Sequence, residues 1–158
     1  LERTTKKMVE KYLREYPLID GLIAREELNI MYPYQEPDEN VGGGRAQYKK
    51  SAPTEYAAIS VADSETIRAF QHRRDVIDAC LDECGEDTET LICELYFRKR
   101  QRYSVVSLVA NGMVLVSKSK AYYLIDKFIA KVASRLNLYD VSDFSRLVSL
   151  EIVRKKWA

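Results

Sequence analysis

The chain has 158 residues, 46% of them apolar and 31% charged, with a formal net charge of +1. This size and composition exclude a wholly disordered chain and supply enough apolar material for a core without disulfide or metal staples. No run approaches the ~18 apolar residues needed to span a bilayer, and the stretch from Leu1 to Lys11 lacks the apolar centre of a secretion signal, so the expected setting is cytoplasmic, with no membrane partner.

Met8, Val9, Tyr12, Leu13 and Tyr16 recur at helical spacing before Pro17, and Leu18, Ile19, Leu22, Ile23 and Ile30 continue the pattern as far as Tyr32-Pro33. Residues 1–31 are therefore expected to form an N-terminal helical hairpin. Residues 32–53 hold three of the four prolines and Gly42-Gly43-Gly44 without an apolar face, which predicts a loop or linker, unusually long for a compact domain. No Lys-Ser/Thr follows the glycines and no strand pattern precedes them, which argues against a phosphate loop.

Residues 54–86 read as a long central helix. Thr54 is placed to cap it, Ala58, Val61, Ile67, Phe70, Ile77, Cys80, Leu81 and Cys84 form its apolar positions, a break is expected near Asp63-Ser64, and Gly85 is the expected terminator. Such a helix fits a hinge, a dimer seam or a plain bundle element. Three cysteines, Cys80, Cys84 and Cys93, are an odd number and are expected to be reduced. His72 is the single histidine available to join Cys80 and Cys84, whereas zinc sites usually pair close ligands with a second, distant pair. Buried thiols are the simpler reading, and neither a metal nor a cofactor is expected.

Residues 87–138 look like a DNA-binding module. Asp87 or Thr88 is placed to cap a helix over Glu89 to Phe97, with Leu91, Ile92, Leu95 and Tyr96 inward. The connector Arg98-Lys99-Arg100-Gln101-Arg102 follows. Ser104 opens a short apolar helix closed by Asn111-Gly112, and Ser117 caps a third helix whose inward stripe is Ala121, Leu124 or Ile125, Phe128, Val132 and Leu136. Two short helices, a turn and a longer third helix match the order of a helix-turn-helix.

The charge pattern supports that reading. From Arg98 to Leu136 there are nine bases, Arg98, Lys99, Arg100, Arg102, Lys118, Lys120, Lys127, Lys131 and Arg135, against the single acid Asp126, so this segment is cationic and the remainder anionic. A localised positive patch is what a phosphate backbone requires. Lys118 and Lys120 also stand in a first helical turn, where the macrodipole disfavours cations by a few tenths of a kcal/mol each, so stability alone does not select them. The DNA-binding candidates are Arg98, Lys99, Arg100, Arg102, Ser117, Lys118, Ser119, Lys120, Tyr122, Tyr123 and Lys127. An enzyme is not expected: no nucleophile stands with a plausible base, and the carboxylates Asp78, Asp82, Glu83, Glu86 and Asp87 lack a second acidic cluster with which to hold two metals.

Tyr16-Pro17, Pro33-Tyr34, Asp38-Glu39-Asn40-Val41-Gly42-Gly43, Ser51-Ala52-Pro53-Thr54-Glu55, Glu94-Leu95-Tyr96-Phe97 and Val116-Ser117-Lys118-Ser119-Lys120-Ala121-Tyr122 occur in this order. In order and spacing they resemble the RinA-type late-gene transcriptional activators of phages of Gram-positive bacteria. The C-terminal module of that family is similar to the promoter-reading helix-turn-helix of sigma factors (region four). The resemblance implies an all-α protein of phage or prophage origin, acting in the bacterial host cytoplasm. It would bind double-stranded promoter DNA and help host RNA polymerase transcribe packaging and structural genes. By position, the reading helix would begin at Ser117 with Lys118, Ser119, Lys120, Tyr122 and Tyr123 as contacts. Lys120 departs from the threonine or arginine frequent there. A homo-oligomer, dimer or larger, is expected because one helix reads only a few base pairs. The rival reading is a protein like a small terminase subunit that recognises a packaging site, disfavoured because here the DNA-reading module is C-terminal. Residues 139–158 form an extension in which Ser142 is placed to cap an amphipathic helix using Phe144, Leu147, Val148 and Ile152.

Overall fold

A computed structural model describes residues 1–33 and 59–138. The expected loop from residue 34 onward, the capping by Thr54 and the C-terminal extension lie outside the described residues. Among those described, every regular element is helical and none is a strand. The helices are α1 (Arg3–Glu15), α2 (Ile19–Met31), α3 (Glu65–Asp82), α4 (Glu86–Ile92), α5 (Val105–Ala110) and α6 (Lys118–Arg135). A 3₁₀ turn, Tyr16–Leu18, joins α1 to α2, and a π-helical turn, Cys93–Phe97, continues α4.

The chain divides into two compact units, one made of Leu1–Pro17 with the residues from Arg73 onward, the other of Leu18–His72. Among the described residues of the second unit, the buried apolar side chains are Ile19, Ile23 and Ile67. The expected break in the central helix falls at Ser64, between a helical stretch at residues 59–63 and α3. Ser64 restarts the helix, its Oγ accepting from the Ile67 N–H at 3.4 Å. The Arg68 guanidinium reaches back across the break to the Ala62 carbonyl at 3.0 Å and Asp63 Oδ1 at 3.2 Å. The break is thus tied on both sides, by backbone capping and by a side chain that spans it.

The first unit holds the larger core. Val9 and Leu13 from α1, Ile77 and Cys80 from α3, Leu91 and Ile92 from α4, Leu108 from α5, and Ile129 and Val132 from α6 are all sealed from solvent. α1 packs on α6 and on the π turn, α4 on α6, and α5 on α6. α6 is thereby the central element, and its buried positions Ala121, Ile125, Phe128, Ile129, Val132 and Ala133 form the continuous stripe that its 3.6-residue period requires. Leu124 and Leu136 are only partly buried at its margins. The place of α1 in this core is invisible in the local periodicity, which suggests only a helix paired with its neighbour α2.

Aromatic contacts fasten α1. The Tyr16 ring stacks on Phe97 with centroids 4.7 Å apart, and its hydroxyl donates to Asp78. The Arg73 guanidinium lies 4.5 Å from the centre of the Tyr12 ring and 3.6 Å from Glu15. Tyr96 donates to Glu10 at 3.4 Å, and burial, reinforced by the Glu10 charge, pushes its phenol up to about 12.

Two local expectations need correction. The cap of α4 is Gly85, in extended backbone at φ −81°, rather than Asp87 or Thr88, and the helix begins at Glu86. Gly85 therefore opens α4 instead of closing α3 in a left-handed turn. Among the described residues the left-handed positions are elsewhere, at Gly112 (φ 66°) and Asn137 (φ 54°). At each, the residue after the C-cap donates to the carbonyl two before the C-cap, Gly112 to Val109 at 3.1 Å and Asn137 to Ser134 at 3.1 Å. The next residue donates to the carbonyl one residue further back, Met113 to Leu108 at 3.0 Å and Leu138 to Ala133 at 2.9 Å. These are Schellman closures. The Asn111-Gly112 stop expected from the sequence is thus built in full.

Candidate nucleic-acid interface

The short helix after the connector, α5, and the longer α6 both start from serine caps. Ser104 and Ser107 form a reciprocal capping box at the start of α5, with Ser107 N–H donating to Ser104 Oγ at 3.2 Å and Ser104 N–H to Ser107 Oγ at 2.7 Å. Ser117 caps α6 by accepting from the Lys120 N–H at 3.3 Å. Residues 111–117 join the two helices, a longer link than the three- or four-residue turn usual in helix-turn-helix units. It is held by the burial of Val114, 3% exposed, and by Asp87 Oδ1, which accepts from the Leu115 N–H at 2.9 Å. Asp87, expected as a helix cap, instead holds the entry to α6.

With the inner face of α6 committed to the core, Lys118, Ser119, Lys120, Tyr122, Tyr123, Asp126 and Lys127 are left exposed. Tyr122 and Tyr123 retain 46% and 54% of their accessible surface. The Lys120 ammonium sits 4.7 Å from the centre of the Tyr123 ring, a cation–π pair one turn into the helix. No acid lies in the first turn of α6. The one acid on this face, Asp126, is matched by Lys6 of α1 at 2.6 Å. Lys6 is a contributor that the sequence did not disclose; the partners lie 120 residues apart in the chain, so no local spacing reveals them.

The nine bases between Arg98 and Leu136 separate into two groups. Arg98, itself exposed, is paired: its guanidinium meets the buried Glu94 carboxylate at 2.6 Å. Lys131 and Arg135 both bind Glu83 at 2.6 Å, on the flank of α6 rather than on its open face. Lys99, Arg100, Arg102, Lys118, Lys120 and Lys127 have no carboxylate partner among the described residues, and all six are exposed. The available bases are therefore fewer than a count of charges suggests, three in the connector and three in the first half of α6. A depression of about 540 Å³ near the start of α4, lined by Glu86, Asp87, Met113, Leu115 and Leu124 among others, carries no base and does not suit a phosphate.

Hydrogen bonds from Arg135 and then Lys131 lower the Glu83 carboxyl from an ordinary 4.5 to about 2. A carboxylate with a depressed folded-state value contributes stability that is present above its ordinary value and lost as pH falls toward the lowered one. Acid unfolding between about pH 4.5 and 2 should therefore include this group, and Glu83→Gln should flatten the dependence of melting temperature on pH in that window. The effect should be small, because the side chain is 49% exposed. An unaltered slope in the variant would show that the triad contributes nothing.

Burial raises all three cysteine thiols above their ordinary value, which keeps them protonated and poorly nucleophilic. Among the described residues, no three His, Cys, Asp or Glu side chains converge as metal ligands. No described helix is long and apolar enough to cross a membrane.

Residues 5–134 match the model of a family described as a protein of unknown function, DUF722. The chain belongs to the DUF722 family. No curated protein and no solved structure matches it. The family match runs from α1 through to the last turn of α6, so it takes in the elements that build the larger core and carry the available bases.

Proposed function

We propose that this DUF722 protein is a sequence-specific double-stranded-DNA-binding transcriptional activator of phage late genes, acting at a promoter together with host RNA polymerase and performing no chemistry of its own. The observation that carries the reading is the open face of α6. There Lys118, Lys120, Tyr122, Tyr123 and Lys127 are exposed on a helix whose other face is buried, and no carboxylate among the described residues neutralises the lysines. A helix about 10–12 Å across with side chains fits the major groove, which is ~12 Å wide.

In that arrangement, Lys118 and Lys120 in the first turn reach base edges or phosphates, and Ser119 and the tyrosine hydroxyls bond the backbone. Lys99, Arg100 and Arg102 supply contacts that set position without reading sequence. Arg98, bound to Glu94, shapes the connector and is a weaker candidate for phosphate contact. Dimerisation or higher assembly supplies the second half-site that one helix cannot. In the host cytoplasm, the bound protein offers polymerase a surface near the late promoter.

The test is a reporter under the late promoter of the source phage or prophage, expressed in its host with and without this protein. Activation that is lost with Lys118→Ala and Lys120→Ala is the expected result. Unchanged transcription beside specific retention of a packaging-site duplex would favour the terminase-like reading instead.

A further inference from the structure

We propose that the solvent face of α1 is a second phosphate-binding strip, which follows the DNA backbone beside the groove occupied by α6. The inference rests on the duplex-DNA reading above and extends it to an element outside the helix-turn-helix. Thr5, Val9 and Leu13 are the buried face of α1. Arg3, Lys7, Lys11 and Arg14, at spacings of four, four and three residues, occupy the opposite side, and all four are exposed. At 1.5 Å per residue the strip is about 16 Å long, the axial rise of roughly four to five phosphates of one strand.

Three further observations join this strip to the interface. First, α1 packs directly on α6, and the Lys6–Asp126 pair at 2.6 Å places the seam between them at the open face of α6. Second, the carboxylates of α1 are engaged, and only Lys11 of the strip shares one. Glu10 accepts from Tyr96, and Glu15 lies 3.6 Å from both Arg73 and Lys11. Arg3 and Lys7 have no carboxylate partner among the described residues. Third, α1 begins as α6 does, with cations and no acid in its first turn, against the macrodipole. The cost is smaller in α1, where Glu2 stands at the N-cap, and a shared polyanion offsets both.

The experiment is a salt titration of the full chain on its preferred duplex and on a random-sequence duplex, comparing wild type with the triple variant Arg3→Gln, Lys7→Gln, Lys11→Gln. The slope of log affinity against log salt should become shallower by about 0.9 for each phosphate that is no longer neutralised, equally on both duplexes, with the preference between them unchanged. The charge-keeping variant Arg3→Lys, Lys7→Arg, Lys11→Arg should retain the wild-type slope. Melting temperature should be unaltered in the charge-keeping variant and should shift only slightly in the glutamine variant, which relieves a first-turn cation and gives up the exposed Lys11–Glu15 pair. A wild-type slope in the glutamine variant, while Lys118→Ala still erodes the preference, would overturn the strip and leave the function standing. A changed preference in the glutamine variant, or an equal decrease of slope in the charge-keeping one, would also overturn it. Absence of any duplex binding by the wild type would remove the function and the strip together.

Discussion

Alanine at Lys118 or Lys120 is expected to weaken binding to the preferred duplex by roughly 1–3 kcal/mol where the side chain reads a base, and by less where it meets only a phosphate. The two residues stand in the first turn of α6, above a serine cap and beside exposed tyrosines, with no carboxylate partner among the described residues. Their removal also relieves cations from the positive end of the helix dipole, a gain of a few tenths of a kcal/mol each. Affinity should therefore fall while melting temperature holds or rises slightly. Lys120→Ala additionally removes the cation over the Tyr123 ring, so its stability gain should be the smaller of the two. Unchanged affinity in both variants, measured by fluorescence anisotropy, would remove α6 from the interface.

The second large effect concerns the fold. Leu13→Ala should destabilise the protein by about 2–5 kcal/mol, the range for deleting a fully buried leucine side chain. Leu13 has no exposed surface and belongs to the same core as Ile129 and Val132 of α6. Were α1 merely half of a separate hairpin, the destabilisation would fall well short of that range and the rest of the chain would melt unchanged. Urea unfolding followed by helical circular dichroism distinguishes these outcomes, because a cooperative shift of the whole transition requires α1 to be integral. The same variant should also weaken DNA binding, since α1 braces α6 and its Lys6 neutralises Asp126.

What the sequence made legible was local. Period alone found the buried stripe of α6, because Ala121, Phe128 and Val132 recur at helical spacing and polar residues fill the gaps. The caps at Ser104 and Ser117, the Asn111-Gly112 stop and the break before Ser64 were readable because serine, asparagine and glycine act on backbone groups within four residues of themselves. Asp87 and Thr88 mislead in α4 because a residue with cap chemistry need not be used as a cap. Gly85 takes the position, freeing Asp87 to hold the Leu115 amide 28 residues away.

Long-range pairing was not legible. Of the bases, the Arg98–Glu94 pair is an i, i+4 neighbour and is open to discovery by spacing. The Arg135–Glu83 pair spans 52 residues and the Lys6–Asp126 pair that seats α1 on α6 spans 120, so only the folded chain separates neutralised cations from available ones. The same limit hid the basic strip of α1, whose spacing is plain once its buried face is known.

The claim that the open face of α6 selects a DNA sequence is tested most directly by fragment selection. Sheared genomic duplex from the source of the chain is passed over the immobilised protein at moderate salt, and the retained fragments are sequenced. The prediction is strong enrichment of a few sites sharing a common element, with enrichment abolished by replacing Lys118 and Lys120 together. Uniform retention of all fragments, or retention of none, would contradict it.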